Sequence, residues 1–374
     1  MKGQWIGRYT GANEGYILVN IDERQAAFEG MAFVNDKSDH LPNLAAFFTT
    51  PSKHQEISFR TSQILPINPH TGTTDSWDNV KQFFGKDIAI PQYADVACEW
   101  TETVLKMTWK TNIDTHGYCE LPCSRAGDHS ELQPHPEVSD WAAYKKHVLA
   151  LEGNRYLFRG QSKPWRLRTS FHRTSRANLH RYLNEDIQVL HKHLSARTRH
   201  VFNLENPNEN GAFYNLVQHH GYPTPLLDWT YSPYVAAYFA YRGITNQEAA
   251  KALPTDKVRI HVFDQAQWKA DLPQMRQLLH FAPHLSIGEF LAIENERMIP
   301  QQAASTVTNI DDIESYIQFH HENTGRSYLW AIDLPVSERR AVIQELSYMG
   351  ITAGSLFPGL DGACEELKER NFED

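Results

Sequence analysis

Two stretches about sixty residues apart hold the densest potential for chemistry in this chain. The first, Tyr156-Leu-Phe-Arg-Gly-Gln161, presents one arginine from an apolar run beside a glycine. A guanidinium there suits a phosphate or carboxylate, because its planar fork makes two parallel charge-assisted hydrogen bonds where lysine makes a point contact. The second, Gln218-His-His-Gly-Tyr-Pro-Thr-Pro-Leu-Leu-Asp-Trp-Thr230, gathers amide, imidazole, hydroxyl, carboxylate and indole into thirteen residues and then enters an apolar helix. Few purely structural loops need that range of polar types, and the pair reads as a nucleotide site.

The pair resembles the FRG domain family, known for its Phe-Arg-Gly run and for a second signature near His-Gly-x-Pro-Thr-x-Leu-Leu-Asp-Trp-Thr. Here that second signature runs from His220 through Thr230 to Ala240. Family members also tend to carry an Arg followed four residues later by Gln, and Arg297 and Gln301 supply it. The Gly and aromatic usual after that point are replaced by Ala303 and Ala304. The resemblance covers residues 139–374 and leaves the first third of the chain unexplained. It implies an ADP-ribosyltransferase-like fold with the three motifs on three strands, NAD as substrate, and a toxin or antiviral defence effector.

In such a site Arg159 takes an NAD phosphate or ribose, with Gly160 and Gln161 beside it. A salt bridge inside the domain is the alternative for Arg159. His220, Asp228, Trp229, Thr230 and Ser232 lie where related transferases bind the nicotinamide ribose. On a strand Asp228, Thr230 and Ser232 share a face. Asp228 and Ser232 are equally suited to capping the helix entered at Pro233, and His220 to a turn before Gly221. Transferases of this fold commonly place a Glu on the late strand, as base and ribose grip. Gln301 stands there instead. Glu294 and Glu296 share one face if extended and are the substitutes, or two exposed acids. The candidate catalytic set is therefore Arg159, Thr230, Gln301, Glu294 and Glu296. The acceptor is a nucleic acid, RNA first, with a protein side chain as the alternative. NAD hydrolysis and non-catalytic nucleotide or RNA sensing are the rival functions.

At 374 residues the chain has room for two cores. Its 41% hydrophobic and 22% charged residues are ordinary for a globular protein, and no apolar run approaches membrane-spanning length. The N-terminus lacks a signal-peptide core, and four cysteines make no disulfide framework, so a cytoplasmic protein without membrane contact is expected. The net charge of −9 argues against a nucleic-acid-coated protein, yet residues 155–200 hold eleven Lys or Arg, five His and two acids. That segment predicts a polyanion partner unless it is a solvated helix face.

Residues 1–121 read as an antiparallel β-sandwich or barrel, with strands at 4–9, 15–22, 25–34, 44–50, 54–61, 96–101 and 104–111. Its many aromatics are expected in the core. The module is suited to a partner, target or inhibitor contact, such as an antitoxin or chaperone. Apolar content falls between Thr115 and Glu137, and 122–138 reads as a linker. His116, Cys119, Cys123 and His129 there match no metal-finger spacing, and no metal is expected. Ser139 caps a helix opening the second domain, 139–374. That domain has strands near 155–161, 259–263, 288–293 and 327–333 and helices at 178–198, 212–219, 233–241, 313–321, 338–349 and 362–370. Strands and helices mix without strict alternation, so the fold class is α+β. There is no nucleophile elbow, Gly-rich phosphate loop or His-Glu-x-x-His.

Overall fold

The computed structural model describes residues 1–275 and 277–372. The chain is α+β, with two sheets that meet through a buried interface. The first holds β1 (Gly3–Gly11), β2 (Gly15–Glu23), β3 (Phe28–Asp36), β4 (Leu44–Thr49), β5 (Glu56–Thr61), β6 (Gln63–Pro66), β7 (Ala94–Trp100), β8 (Val104–Thr111) and β9 (His116–Pro122). Their order is β5-β7-β8-β9-β1-β2-β3-β4-β6, antiparallel throughout. The sheet curls into a nearly closed barrel, and the stacked rings of Phe48 and Phe59, 5.3 Å apart, bridge β4 and β5 across the seam.

Period-two alternation explains the barrel core. Ile17, Val19 and Ile21 of β2 point inward with Trp5, Phe28, Phe48 and Leu121. The intervening residues of β2 are buried too, because the barrel's outer wall is covered. Leu18, Met31, Phe33 and Ala45 face out and pack with Leu279 and Phe281 from the second half of the chain. Tyr16 is exposed, and Phe33 and Phe47 lie on that outer wall, so these three aromatics fall outside the expected interior core.

The second sheet holds β10 (Tyr156–Gln161), β11 (Leu226–Thr230), β12 (Lys257–Asp264), β13 (Leu285–Gly288), β14 (Ala303–Thr308) and β15 (Leu329–Pro335), in the order β13-β14-β11-β10-β12-β15. One face is covered by the helices Trp141–Leu149, Pro233–Tyr241 and Arg339–Tyr348. The other packs on the helices Gln265–Asp271 and Ile313–Thr324, and the Pro207–His219 helix closes the β11 end.

Several sequence-based boundaries shift. The stretch beginning at Thr115 is not all linker, since His116–Pro122 is a barrel strand with Cys119 facing the core. Residues beyond it are pinned to the second sheet, where His135 N donates to the Ala331 carbonyl and Arg259 Nη1 to Ser130 Oγ. His129 stacks on Trp165, far from any shared site with Cys119. Among the described residues no three His, Cys, Asp or Glu group to hold a metal. Asp140, not Ser139, caps the Trp141–Leu149 helix. The helix expected over 178–198 is broken by a π turn, Tyr182–Asp186, and its last piece ends at Leu194. The strand expected at 288–293 stops at Gly288, because the Phe290 ring packs against both Gly211 and Gly288. No helix among the described residues is long and apolar enough to cross a membrane.

Candidate functional site

The site forms where β10 and β11 part. The two strands share a single registered pair, Phe158 with Thr230, whereas β10 pairs with β12 along its whole length. Alternation turns Phe158 and Gly160 toward the Pro233–Tyr241 helix and leaves Leu157, Arg159 and Gln161 on the opposite face. At the parting, the Asp228 carbonyl lacks a strand partner on the β10 side. Arg159 takes that place, donating from Nη1 to the carbonyl at 2.6 Å.

Its Nε is buried and has no hydrogen-bond partner among the described residues. Burial pulls the Arg159 pKa down to about 10, with the Asp228 charge opposing and the Arg173 charge adding to the fall. The guanidinium thus stays charged at neutral pH in a place that penalises charge. Arg173, at the end of the short Ser170–Arg173 helix, is close enough to interact with both Arg159 and Asp228. It is exposed and makes no side-chain hydrogen bond or salt bridge among the described residues. Although the residue as a whole is exposed, partial burial of its guanidinium end, together with the nearby Arg168 charge, pushes its pKa down as well. The Asp228 carboxylate, half-buried, accepts from Gln218 Nε2, and Gln218 in turn accepts from the Thr224 hydroxyl.

Beside this cluster runs a second polar chain. His219 Nδ1 meets Asn295 Oδ1 at 2.8 Å, Asn295 Nδ2 donates to Asn215 Oδ1 at 2.8 Å, and Asn215 Nδ2 donates to Ser305 Oγ at 3.3 Å. Because the amide oxygen can only accept, the imidazole donates from Nδ1. Arg297 Nη1 holds the His219 carbonyl at 2.6 Å, fixing the end of the Pro207–His219 helix. His220, next in line, is exposed and its side chain has no partner among the described residues.

Other sequence candidates are tied to the fold instead. A Cβ on Gly160 would lie 1.9 Å from the Ala236 carbonyl oxygen, so glycine is required for β10 to lie against the Pro233–Tyr241 helix. Gln161 is buried and donates to the Trp165 carbonyl. Trp229 stacks on Phe263 and donates to Thr306 Oγ1 inside the core. Thr230 donates to the Gln301 carbonyl and accepts from Ser232 N, while Ser232 caps the helix through Val235 N. Alternation along the strand therefore predicts a shared face, but hydrogen bonding has already saturated two of its three members.

The third motif is not a strand. Residues 289–302 form turns, with Glu294 in the left-handed region at φ 54°, and β14 begins only at Ala303. Glu294 is exposed and accepts from the His200 backbone N–H, whereas Glu296 is exposed on the same turn segment. They do not form a facing carboxylate pair on a strand. Gln301 is buried and donates from Nε2 to the Leu356 carbonyl at 2.9 Å, pinning the C-terminal region to the β11 end. Gln301→Glu should therefore lower stability by about 3 kcal/mol, since a carboxylate would meet a carbonyl with no donor between them. A urea denaturation midpoint checks this. Raised NAD turnover at unchanged stability would instead return residue 301 to the site.

Five of the eleven basic residues of 155–200 are paired with acids from elsewhere in the chain. Arg155 pairs with Asp264, Arg166 with Asp312, Arg168 with Asp311, and Arg176 and Arg181 with Asp22. Lys192, Arg197 and Arg199 remain exposed without an ion pair among the described residues.

Residues 154–249 match the FRG domain. The match takes in Arg159, Arg173 and Asp228 and ends before Arg297 and Gln301, and the N-terminal barrel has no family match. No curated protein and no solved structure matches the chain significantly. Arg173 and the Asn215–Asn295 link escape a reading by motif. The one visible signal was an asparagine at position 215 within the otherwise apolar run Phe213-Tyr-Asn-Leu-Val217.

Proposed function

We propose that the protein is an NAD-dependent ADP-ribosyltransferase, a toxin or defence effector, with its site at the parting of β10 and β11. The observation that carries this reading is a pair of neighbouring arginines short of partners: Arg159 with a buried unpaired Nε, and Arg173 without an ion pair among the described residues. Two cations held together repel, and a diphosphate relieves that repulsion while accepting their N–H groups. Transfer breaks the bond between the ribose anomeric carbon and nicotinamide, which leaves as a neutral ring, and forms a bond from that carbon to the acceptor. The transition state is oxocarbenium-like. Asp228 is the carboxylate nearest these arginines in the matched domain, and it would face the developing positive charge. Because residue 301 is an amide committed to Leu356, the acceptor is a good nucleophile that loses its proton to solvent or to Asp228. Lys192, Arg197 and Arg199 favour a nucleic acid acceptor, RNA first.

Incubating the full chain with adenylate-labelled NAD and cell lysate should place label in RNA. Arg173→Ala should raise KM for NAD about tenfold with kcat less affected, as expected for loss of one phosphate contact. Label entering RNA at an unchanged KM would remove Arg173 from the site. A second reading, nucleotide sensing without chemistry, is favoured by the structural commitments of Gln301 and Glu294. Saturable NAD binding with neither transfer nor free ADP-ribose identifies it, and free ADP-ribose alone identifies a glycohydrolase.

A further inference from the structure

The N-terminal barrel contains a cavity of about 180 Å³ at the end distant from the FRG domain, and its lining is overwhelmingly apolar. Barrels of about eight strands are just wide enough to be filled by side chains or to hold one small ligand, and this sheet has nine strands. Near the FRG domain the interior is filled by Met1, Trp5, Phe28 and Leu105. Toward the far end, one inward position on each of three strands is alanine, Ala32, Ala46 and Ala94. Larger side chains at those positions would close the space, and apolar cavities are costly to maintain.

The walls are shaped as well as spacious. The indole of Trp109 lies over Gly117, where any Cβ would come within 2.2 Å of it, and the Tyr9 ring sits 5.6 Å from the indole. A glycine facing a large ring on the neighbouring strand lets that ring lie flat along the lumen. Polar groups gather at the far end: Tyr9 OH donates to Asp36 Oδ2 at 3.1 Å, Ser38 N donates to Asp36 Oδ1 at 2.8 Å, and Asn13, Thr111, Thr115 and His116 also line the cavity. Among the described residues no Lys or Arg lines the cavity. Apolar Leu41 and Ile90, both half-buried, and Ile113, which is 37% exposed, belong to the lining at its outer end.

We propose that this lumen is a binding site for a small uncharged aromatic molecule bearing one hydrogen-bond donor, with its ring against Trp109 and its donor toward Asp36. Apolar cavities of about 150 Å³ take up a benzene-sized molecule, so a ring of roughly six to ten heavy atoms fits. The acceptor at Asp36 selects a donor on the ligand, and the lack of a cation disfavours a carboxylate. This site is independent of the FRG chemistry and stands whether or not the protein uses NAD.

Indole and benzoate are suitable probes with the full chain. Indole should bind saturably with a Kd below about 1 mM and raise Tm, whereas benzoate should do neither. Ala46→Leu, which places a larger apolar side chain into the lumen, should weaken indole binding at least tenfold. In the unaltered protein, bound indole protons should show NOE cross-peaks to the Met107 methyl group, which lines the cavity. No saturable binding, equal binding of benzoate, unchanged affinity in Ala46→Leu, or absence of the Met107 cross-peak each overturns the proposal. If Ala46→Leu does not fold, the cross-peak decides.

Discussion

Asp22→Ala should lower stability by about 3–5 kcal/mol, because it strips a fully buried carboxylate from two arginines that stay behind. Asp22 is 0% exposed although it points outward from β2. It accepts from Arg176 Nε at 2.8 Å and Arg181 Nη1 at 3.3 Å, and also from the backbone N–H groups of Ala177 at 2.9 Å and Asn178 at 3.1 Å. Four donors on one carboxylate join the barrel to the segment just after Arg173. Gln4 makes a second junction, donating to the Asn309 carbonyl and accepting from Asp311 N. With Asp22 gone, the two guanidiniums keep only the more exposed Asp186 and Glu185 as counter-charges, and the two N–H groups lose their acceptor. Chemical denaturation should show an earlier transition, and hydrogen exchange at residues 176–181 should rise. A loss below about 1 kcal/mol would mean that water replaces the carboxylate at little cost.

Arg159→Leu should reduce NAD turnover on the order of 10²-fold, the usual scale for removing a donor aimed at developing or transferring charge. Leucine relieves the cost of burying a charge but leaves the Asp228 carbonyl without its donor, so a stability loss of about 1 kcal/mol with the fold retained is expected. Arg159→Lys should not rescue activity. One ammonium cannot occupy the Asp228 carbonyl and a phosphate together, while the guanidinium fork reaches both. Circular dichroism and a Tm measurement separate folding from function here. Turnover retained in Arg159→Leu would move the chemistry away from the parting of β10 and β11, even if Arg173→Ala is impaired.

The two predictions depend on different kinds of information. Arg159 stood out in the chain because an arginine flanked by an apolar run and a glycine has few structural uses. Asp22 looked like the ordinary end of an outward strand face. Its importance comes from residues 154 to 159 positions away that bring two arginines onto it. The same long-range pairing reversed the meaning of the basic segment: counted along the sequence it is a cationic field, but counted in space most of its arginines have partners.

Strand alternation and helix punctuation were legible without coordinates. Seven barrel strands, β10, β12, β15 and the Pro233–Tyr241 helix fall close to where hydropathy period and capping residues put them, since these signals act within a few residues. Four strands were not, and β11 was expected only through the family resemblance. β6 and β13 are four residues long, β9 lies in a stretch of low apolar content, and β14 reads as Ala-Ala-Ser-Thr-Val-Thr, a run without strong alternation. Their pairing is supplied by neighbours already in place.

By itself, then, the chain determined its α+β character and its two-sheet division, because residue type and short spacing carry that information. Which candidates remain free for chemistry was decided only by the tertiary structure. Trp229, Thr230, Gln161 and Gln301 have reactive or polar groups suited to a ligand, yet each is saturated by a partner on another element. Arg173 carried no motif and ends beside Arg159. A hydrogen bond can be satisfied once, and which groups meet first is a property of the packed fold rather than of the order of residues.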